Sequence, residues 1–211
     1  MTTLAILPVK GFERAKQRLR ERVPDGPRAG LAEAMVRDVL RALAACDGLH
    51  GVIVVTAEPV AAAVAREAGA EVVHDPAESG QSDAVALGVR RARERGAARV
   101  LAVPGDCPAL DPAELDELLA SPEAVVIVPD RHGTGTNALL LSPPDAIAPS
   151  FGPDSRARHE AAAQASGRPW AVRTVATLGM DADTPDDLAA LEASGRLGPR
   201  TLATLDRLAP R

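Results

Sequence analysis

The sequence predicts an α/β fold: a three-layer α/β/α sandwich around a mainly parallel, mixed sheet. Two observations carry this expectation. Short apolar runs alternate with segments whose apolar residues recur at helical spacing, the pattern of repeated βαβ units. The connections are short, with neither a linker nor an internal repeat, so one domain over residues 1–211 is expected. Right-handed crossovers then bring the loops after successive strands to one face. Ligands of open α/β sheets bind in the crevice outside those strand ends.

The elements follow in order. Leu4–Val9 reads as a strand that runs into the loop PVKGFERAKQRL, which carries Lys10, Gly11, Arg14, Lys16 and Arg18. Arg28–Ala45 has apolar residues at Leu31, Ala34, Met35, Val39 and Leu43, a helical period. Val52–Thr56 is a second strand, Pro59–Ala68 a helix stopped by Gly69, and Glu71–Val73 a third strand. In HDPAESGQSDAVALG, Ser79 or Ser82 can cap a helix through Ala84, Leu87, Val89 and Ala92. Val100–Pro104 is a buried strand that ends at Gly105 and Asp106. Asp111 and Pro112 start a helix to Leu119, with Pro in the first turn. Val125–Val128 and Ala138–Leu141 are strands joined by RHGTGTN. A helix capped by Asp154 or Ser155 follows, then a strand at Ala171–Val175, a helix fed by MDADTPDD, and a last helix at Pro199–Leu208.

Composition narrows the function. Hydrophobic residues at 46% and charged residues at 25% suit a soluble enzyme. The net charge of −5 and the near absence of aromatics (Phe12, Phe151, Trp170) argue against nucleic-acid binding. No run approaches the roughly 18 apolar residues of a membrane span, and no signal peptide is evident, so a cytoplasmic protein is expected. Cys46 and Cys107 form no motif and read as reduced, small apolar residues. Only two of the 24 basic residues are lysines, Lys10 and Lys16, and both lie in the first loop. Lysine is a compact point charge suited to phosphate oxygens, whereas arginine is a broad fork.

Four polar segments fall on the common face: PVKGFERAK, ESGQSD, PGDCP and MDADTPDD. The first supplies cations for a triphosphate, and the second a helix N-terminus for base, ribose or phosphate. The third and fourth bring carboxylates able to hold Mg²⁺ from two sides. Taken alone, Asp106 could cap a turn, and Asp183-Thr184-Pro185 could simply start a helix. Convergence of all four segments on one rim favours the metal. GTGTN and FGPDS are two further segments suited to anions, through glycine backbone, hydroxyls and a helix N-terminus. His159 lies one turn into the latter helix and could face the acid substrate, although a solvated surface position is the commoner one for such a residue and is expected here; His50, His74 and His132 are isolated, and no zinc site is expected.

This order of motifs resembles the nucleotidyltransferase fold of cytidylyl-, guanylyl- and sugar-nucleotide transferases, a Rossmann-like sandwich. Within it the chain is similar to the 2-phospho-L-lactate guanylyltransferase family of deazaflavin coenzyme F-420 biosynthesis, whose bacterial members use phosphoenolpyruvate. The likeness rests on Pro8, Val9 and Lys10 with Ala15, Lys16, Arg18 and Leu19, then on Pro104, Gly105, Asp106 and Pro108. It continues through DRHGTGTNAL (130–139), FGPDS (151–155) and DADTPDDL (181–188), and general sugar-nucleotide transferases lack both GTGTNAL and FGPDS. The chain departs from the family pattern at Gly80-Gln81-Ser82-Asp83, where Gly-Leu-Asn is expected.

The resemblance implies transfer of GMP from GTP to the phosphate of a small phospho-acid, with release of pyrophosphate. It implies catalytic roles for Lys16 and Asp106, and a Mg²⁺ site at Asp106 and Asp183 with Asp181 as a further candidate. Nucleotide contacts fall to Pro8, Val9, Lys10, Lys16, Ser82, Asp83, Pro104 and Gly105. The acid would meet Thr136, Gly152 and Ser155. The Arg-rich, Lys-poor composition resembles that of a high-GC bacterium, which favours phosphoenolpyruvate over 2-phospho-L-lactate and 3-phosphoglycerate. The residue that reads guanine stays open between Glu58 and Asp83. Two rivals are a molybdopterin guanylyltransferase or cytidylyl-sugar synthetase, and a non-catalytic nucleotide-binding protein. The first usually opens with a glycine-rich LxGGxSxR loop that is absent here, and Lys16, Asp106 and Asp183 together weigh against the second.

Overall fold

The computed structural model describes every residue except 13–15, 21 and 209–211. Arg14 and Ala15, named above, therefore lie outside the described residues. The strands are β1 (Thr3–Pro8), β2 (Val52–Thr56), β3 (Glu71–His74), β4 (Arg99–Ala102), β5 (Val125–Pro129), β6 (Thr136–Leu141) and β7 (Trp170–Val172). The helices are α1 (Asp25–Ala44), α2 (Pro59–Glu67), α3 (Gln81–Glu94), α4 (Pro112–Leu119), α5 (Ser155–Ala165), α6 (Pro185–Ser194) and α7 (Pro199–Leu208). No described helix is long and apolar enough to cross a membrane.

The strands form one sheet in the order β3-β2-β1-β4-β6-β5-β7. β6 runs antiparallel to both its neighbours, and the other pairings are parallel. The expected mixed, mainly parallel sheet is thus observed. Because β6 is reversed, its first residues, Thr136 and Asn137, lie at the same edge as the carboxyl end of β4.

Alternation along the strands divides the interior into two cores, since successive side chains point to opposite faces. Ala5, Leu7, Val54, Leu101, Val126 and Leu140 pack under α1, α2 and α4. Leu4, Ile6, Ile53, Val100, Ile127 and Leu139 pack under α3 and α5. A third cluster joins Leu31 and Met35 of α1 to Leu188 and Leu191 of α6 and Leu205 of α7.

Two helix starts follow the sequence. Asp111 caps α4 by accepting from Ala113 N–H at 2.9 Å. Thr184 and Asp187 form a reciprocal capping box on α6. Two do not. Gly80 precedes α3 with no side-chain cap, and the Ser82 hydroxyl instead accepts from Phe151 N–H at 2.8 Å. Asp154 precedes α5 in the left-handed region (φ 54°) without capping it, and Ser155 Oγ accepts from Thr136 N–H at 2.8 Å. In both cases a long-range partner takes the hydroxyl that local sequence would assign to the helix end. The last strand is also shorter than expected: after Arg173 N–H bonds Ile127 O at 3.0 Å, the chain leaves the sheet.

Candidate active site

A cavity of about 340 Å³ lies across the carboxyl ends of β3, β2, β1 and β4. Pro8, Val9, Lys10, Lys16, Pro104, Gly105, Asp106 and Asp183, all expected at the site, line it. Its floor on one side is α1, through Ala32, Met35 and Val36. Gly105 lets the backbone approach this helix, because a Cβ there would sit 3.1 Å from Val36 Cγ2.

Lys16 joins the two carboxylate loops. Its Nζ lies 2.5 Å from Asp106 Oδ2 and 3.0 Å from Asp183 Oδ1, with little of its side chain exposed. Burial opposes the ammonium charge, but the two carboxylates outweigh that and hold the lysine pKa above its ordinary value. Burial likewise opposes the Asp183 charge, and Lys16, Arg18 and Lys10 more than compensate, holding its pKa low. The loops are also tied through backbone: Ala182 N–H donates to Asp106 O at 3.0 Å.

Asp181 is placed differently. Burial and then repulsion from Asp106 and Asp183 push its pKa up to about 6. Asn137 Nδ2 donates to Asp181 Oδ1 at 3.3 Å and to Leu178 O at 2.7 Å, holding the carboxylate aside. Among the described residues no three His, Cys, Asp or Glu side chains form a ready-made metal cage. Asp106 and Asp183 do share one cation, the Lys16 ammonium.

The structure does not bring Ser82 and Asp83 to the cavity. Ser82 faces Phe151, and Asp83 is exposed one residue further on; Gly80, Gln81 and Ala84 line the cavity in their place. Gly80 has φ 124°, a conformation open to glycine. Glu58 is occupied as the cap of α2, accepting from Val60 N–H at 3.2 Å. The acidic groups at the β3 end of the cavity are Asp75 and Glu78, which sequence reasoning passed over. Asp75 directly follows the third strand on the common face, and that position was the available signal.

Thr136, Gly152 and Ser155 come together at the start of β6 and α5. The segments GTGTN and FGPDS are bonded to one another: Thr136 N–H donates to Ser155 Oγ at 2.8 Å, and Arg156 N–H to Thr134 O at 3.2 Å. Gly152 is exposed and has φ 107°. His159, expected on the surface, is fully buried between these segments; burial and the neighbouring Arg158 push its pKa down to about 4. Cys46 and Cys107 are free and buried, and burial raises both thiol pKa values, so neither is poised as a nucleophile.

The family model described as "Guanylyl transferase CofC like" matches residues 3–198. This chain belongs to that family. A family relative from Conexibacter woesei, named phosphoenolpyruvate guanylyltransferase, is 54% identical over 195 residues, covering 90% of this chain and 87% of its own. One of the same name from Sphaerobacter thermophilus is 39% identical, covering 94% and 96%. The fold is shared more widely. A structure from Desulfovibrio desulfuricans G20, assigned to the nucleotide-diphospho-sugar transferases, superposes with a TM-score of 0.77 at 18% identity, covering 99% and 97% of the chains. CMP:2-keto-3-deoxy-manno-octonic acid synthetase, solved with CTP, gives 0.62 at 13% identity over 92% and 98%. Among the CofC-like residues, the cavity, Lys16 and the two aspartate loops sit where this fold gathers its parallel strand ends.

Proposed function

We propose that this chain is a guanylyltransferase that moves GMP from GTP onto the phosphate of phosphoenolpyruvate, in the formation of coenzyme F-420. An acceptor phosphate oxygen attacks the α-phosphorus of GTP. The bond from that phosphorus to the bridging oxygen of the leaving group breaks, and pyrophosphate departs with its electron pair. The product is a diphosphate joining guanosine to the acid. The acceptor is already an anion, so no general base is needed, and catalysis rests on positioning and charge neutralisation.

The observation that carries this reading is the pairing of Lys16 with Asp106 and Asp183 at one end of a four-strand cavity. Lys16, with Lys10 beside the cavity, neutralises negative charge on the phosphates. Asp106 and Asp183 fit Mg²⁺, because their oxygens already lie close enough together to share one cation, and this ion commonly takes one or two carboxylates plus substrate phosphates. Bound there, Mg²⁺ would supply charge stabilisation at the transferring phosphate. Three inter-strand spacings, about 14 Å, separate the β3 end from the β4 end. The nucleoside therefore lies toward Asp75, where a carboxylate suits the adjacent N–H donors of guanine. Thr136, Gly152 and Ser155 serve the acid.

The test is pyrophosphate release from GTP with phosphoenolpyruvate, 2-phospho-L-lactate and 3-phosphoglycerate offered separately, with and without Mg²⁺. Release that requires the metal and is fastest with phosphoenolpyruvate is expected, and ATP and CTP should substitute poorly. Nucleotide binding with no release for any acid would make the chain a sensor rather than an enzyme.

A further inference from the structure

The geometry points to His159 as a positioning residue for the acid acceptor: we propose that it fixes the Thr136 hydroxyl as a hydrogen-bond donor. The proposal rests on the reading above that Thr136 meets the phospho-acid.

The tautomer of His159 follows from its partners. Ser150 N–H, which can only donate, lies 2.8 Å from Nε2, so Nε2 presents its lone pair. His159 is fully buried and its pKa is pushed well below neutrality, so the ring carries one proton, and that proton is on Nδ1. Nδ1 lies 2.9 Å from Thr136 Oγ1. The threonine oxygen is therefore the acceptor in this bond, and its own proton remains for another group. Among the described residues the bond to His159 is the one formed by this hydroxyl. A phosphate or carboxylate oxygen is the partner it suits.

Three further contacts hold the arrangement rigid. Thr136 N–H donates to Ser155 Oγ at 2.8 Å, so backbone and side chain of Thr136 are both fixed from α5. Phe151 meets the imidazole edge-on, with centroids 5.1 Å apart and planes at 73°. Arg158 donates to Ser150 Oγ at 2.7 Å and to Ser150 O at 2.9 Å, which pins the residue that sets the tautomer. His159 thus joins the start of β6 to the FGPDS turn, the two segments that carry Thr136, Gly152 and Ser155.

The experiment is a double-mutant cycle on steady-state pyrophosphate release, with His159→Leu and Thr136→Val separately and together. His159→Leu is expected to raise KM for phosphoenolpyruvate about tenfold or more while KM for GTP moves less than about twofold. The double variant should be no worse than Thr136→Val alone, because the histidine acts through that hydroxyl. Multiplicative losses, or equal rises in both KM values, would overturn the role. Should His159→Leu not fold, the pair His159→Asn and His159→Gln decides. Asn keeps a donor near Nδ1 and should retain acid affinity, whereas Gln keeps an acceptor for Ser150 and should lose it; the reverse order refutes the proposal. Wild-type protein that releases no pyrophosphate with any phospho-acid would strike the functional reading itself, while an active wild type with multiplicative variants strikes only the positioning role.

Discussion

Asp106 is half of a charge arrangement whose other half arrives 77 residues later in the chain as Asp183. With Asp181 the loops bring together three carboxylates, of which only Asp106 and Asp183 pair with the buried lysine, and the imbalance shows in Asp181, whose pKa is raised to about 6 by burial and by its two neighbours. Asp106→Asn removes one of those charges with little change of shape. Pyrophosphate release should fall by a factor of about 10³ or more, the scale of losing a key electrostatic group, while circular dichroism and melting stay near wild type. In the same variant the Asp181 titration, followed by carboxyl NMR, should move down. The sign for activity follows. Below about pH 6 Asp181 takes up a proton, the site loses negative charge, and affinity for a cation should weaken as pH falls through that value. Near-normal turnover in Asp106→Asn, or an Asp181 titration unmoved by it, would remove Asp106 from the centre of the site.

At the scale of elements, the packing of α3 on the sheet depends on a missing side chain. A Cβ at Gly88 would sit 2.4 Å from Ile6 Cγ2 and 3.2 Å from Val55 Cγ2. Alanine is favoured over glycine within helices by about 1 kcal/mol, yet Gly88→Ala should destabilise the protein by about 1–3 kcal/mol, because overpacking a filled core costs more than the helix gains. Thermal or urea unfolding checks this, and a stabilised variant would show that α3 can move off β1 and β2. The same contact illustrates what the sequence could reveal. The strands were legible because alternating apolar residues serve both cores, and Asp111-Pro112 and Thr184-Pro185 marked their helices because those caps are local. Ser82 and Ser155 misled because their hydroxyls bond Phe151 and Thr136, partners 69 and 19 residues away. His159 was misplaced for a related reason: its neighbours on the buried face of α5 are Ser155 and Ala163, too small and polar to mark a core stripe, and its bonds to Ser150 and Thr136 are tertiary. Of the site itself, both lysines and the aspartates at 106, 181 and 183 were readable as motifs; Asp75 was signalled only by its place after the third strand, and Asn137 acquires meaning only once β6 is reversed.

Across the whole molecule, α1 connects the cavity to the far end of the chain. On one side its Ala32, Met35 and Val36 line the cavity, and on the other Leu31 and Met35 pack with α6 and α7. The joint with α7 is polar and buried: Asp38 Oδ1 and Oδ2 accept from Arg200 N–H at 3.2 Å and Thr201 N–H at 2.7 Å, closing the N-terminus of the last helix. Gly198 makes this possible, since a Cβ there would lie 2.2 Å from Asp38 Cγ. Asp38→Ala would leave two helix-terminal N–H groups without their acceptor in a buried setting, at a cost of about 2 kcal/mol. The loss should not stay at the joint. With α7 loosened, the third cluster no longer holds α1 against the sheet, and the wall formed by Met35 and Val36 gains freedom. The melting temperature should therefore fall by several degrees, roughly 4–8 °C for a chain of this size. KM for GTP should rise more than KM for the phospho-acid, whose residues lie on β6 and α5 outside the α1 contact. Equal changes in the two KM values would mean that α7 stabilises the fold without reaching the nucleotide.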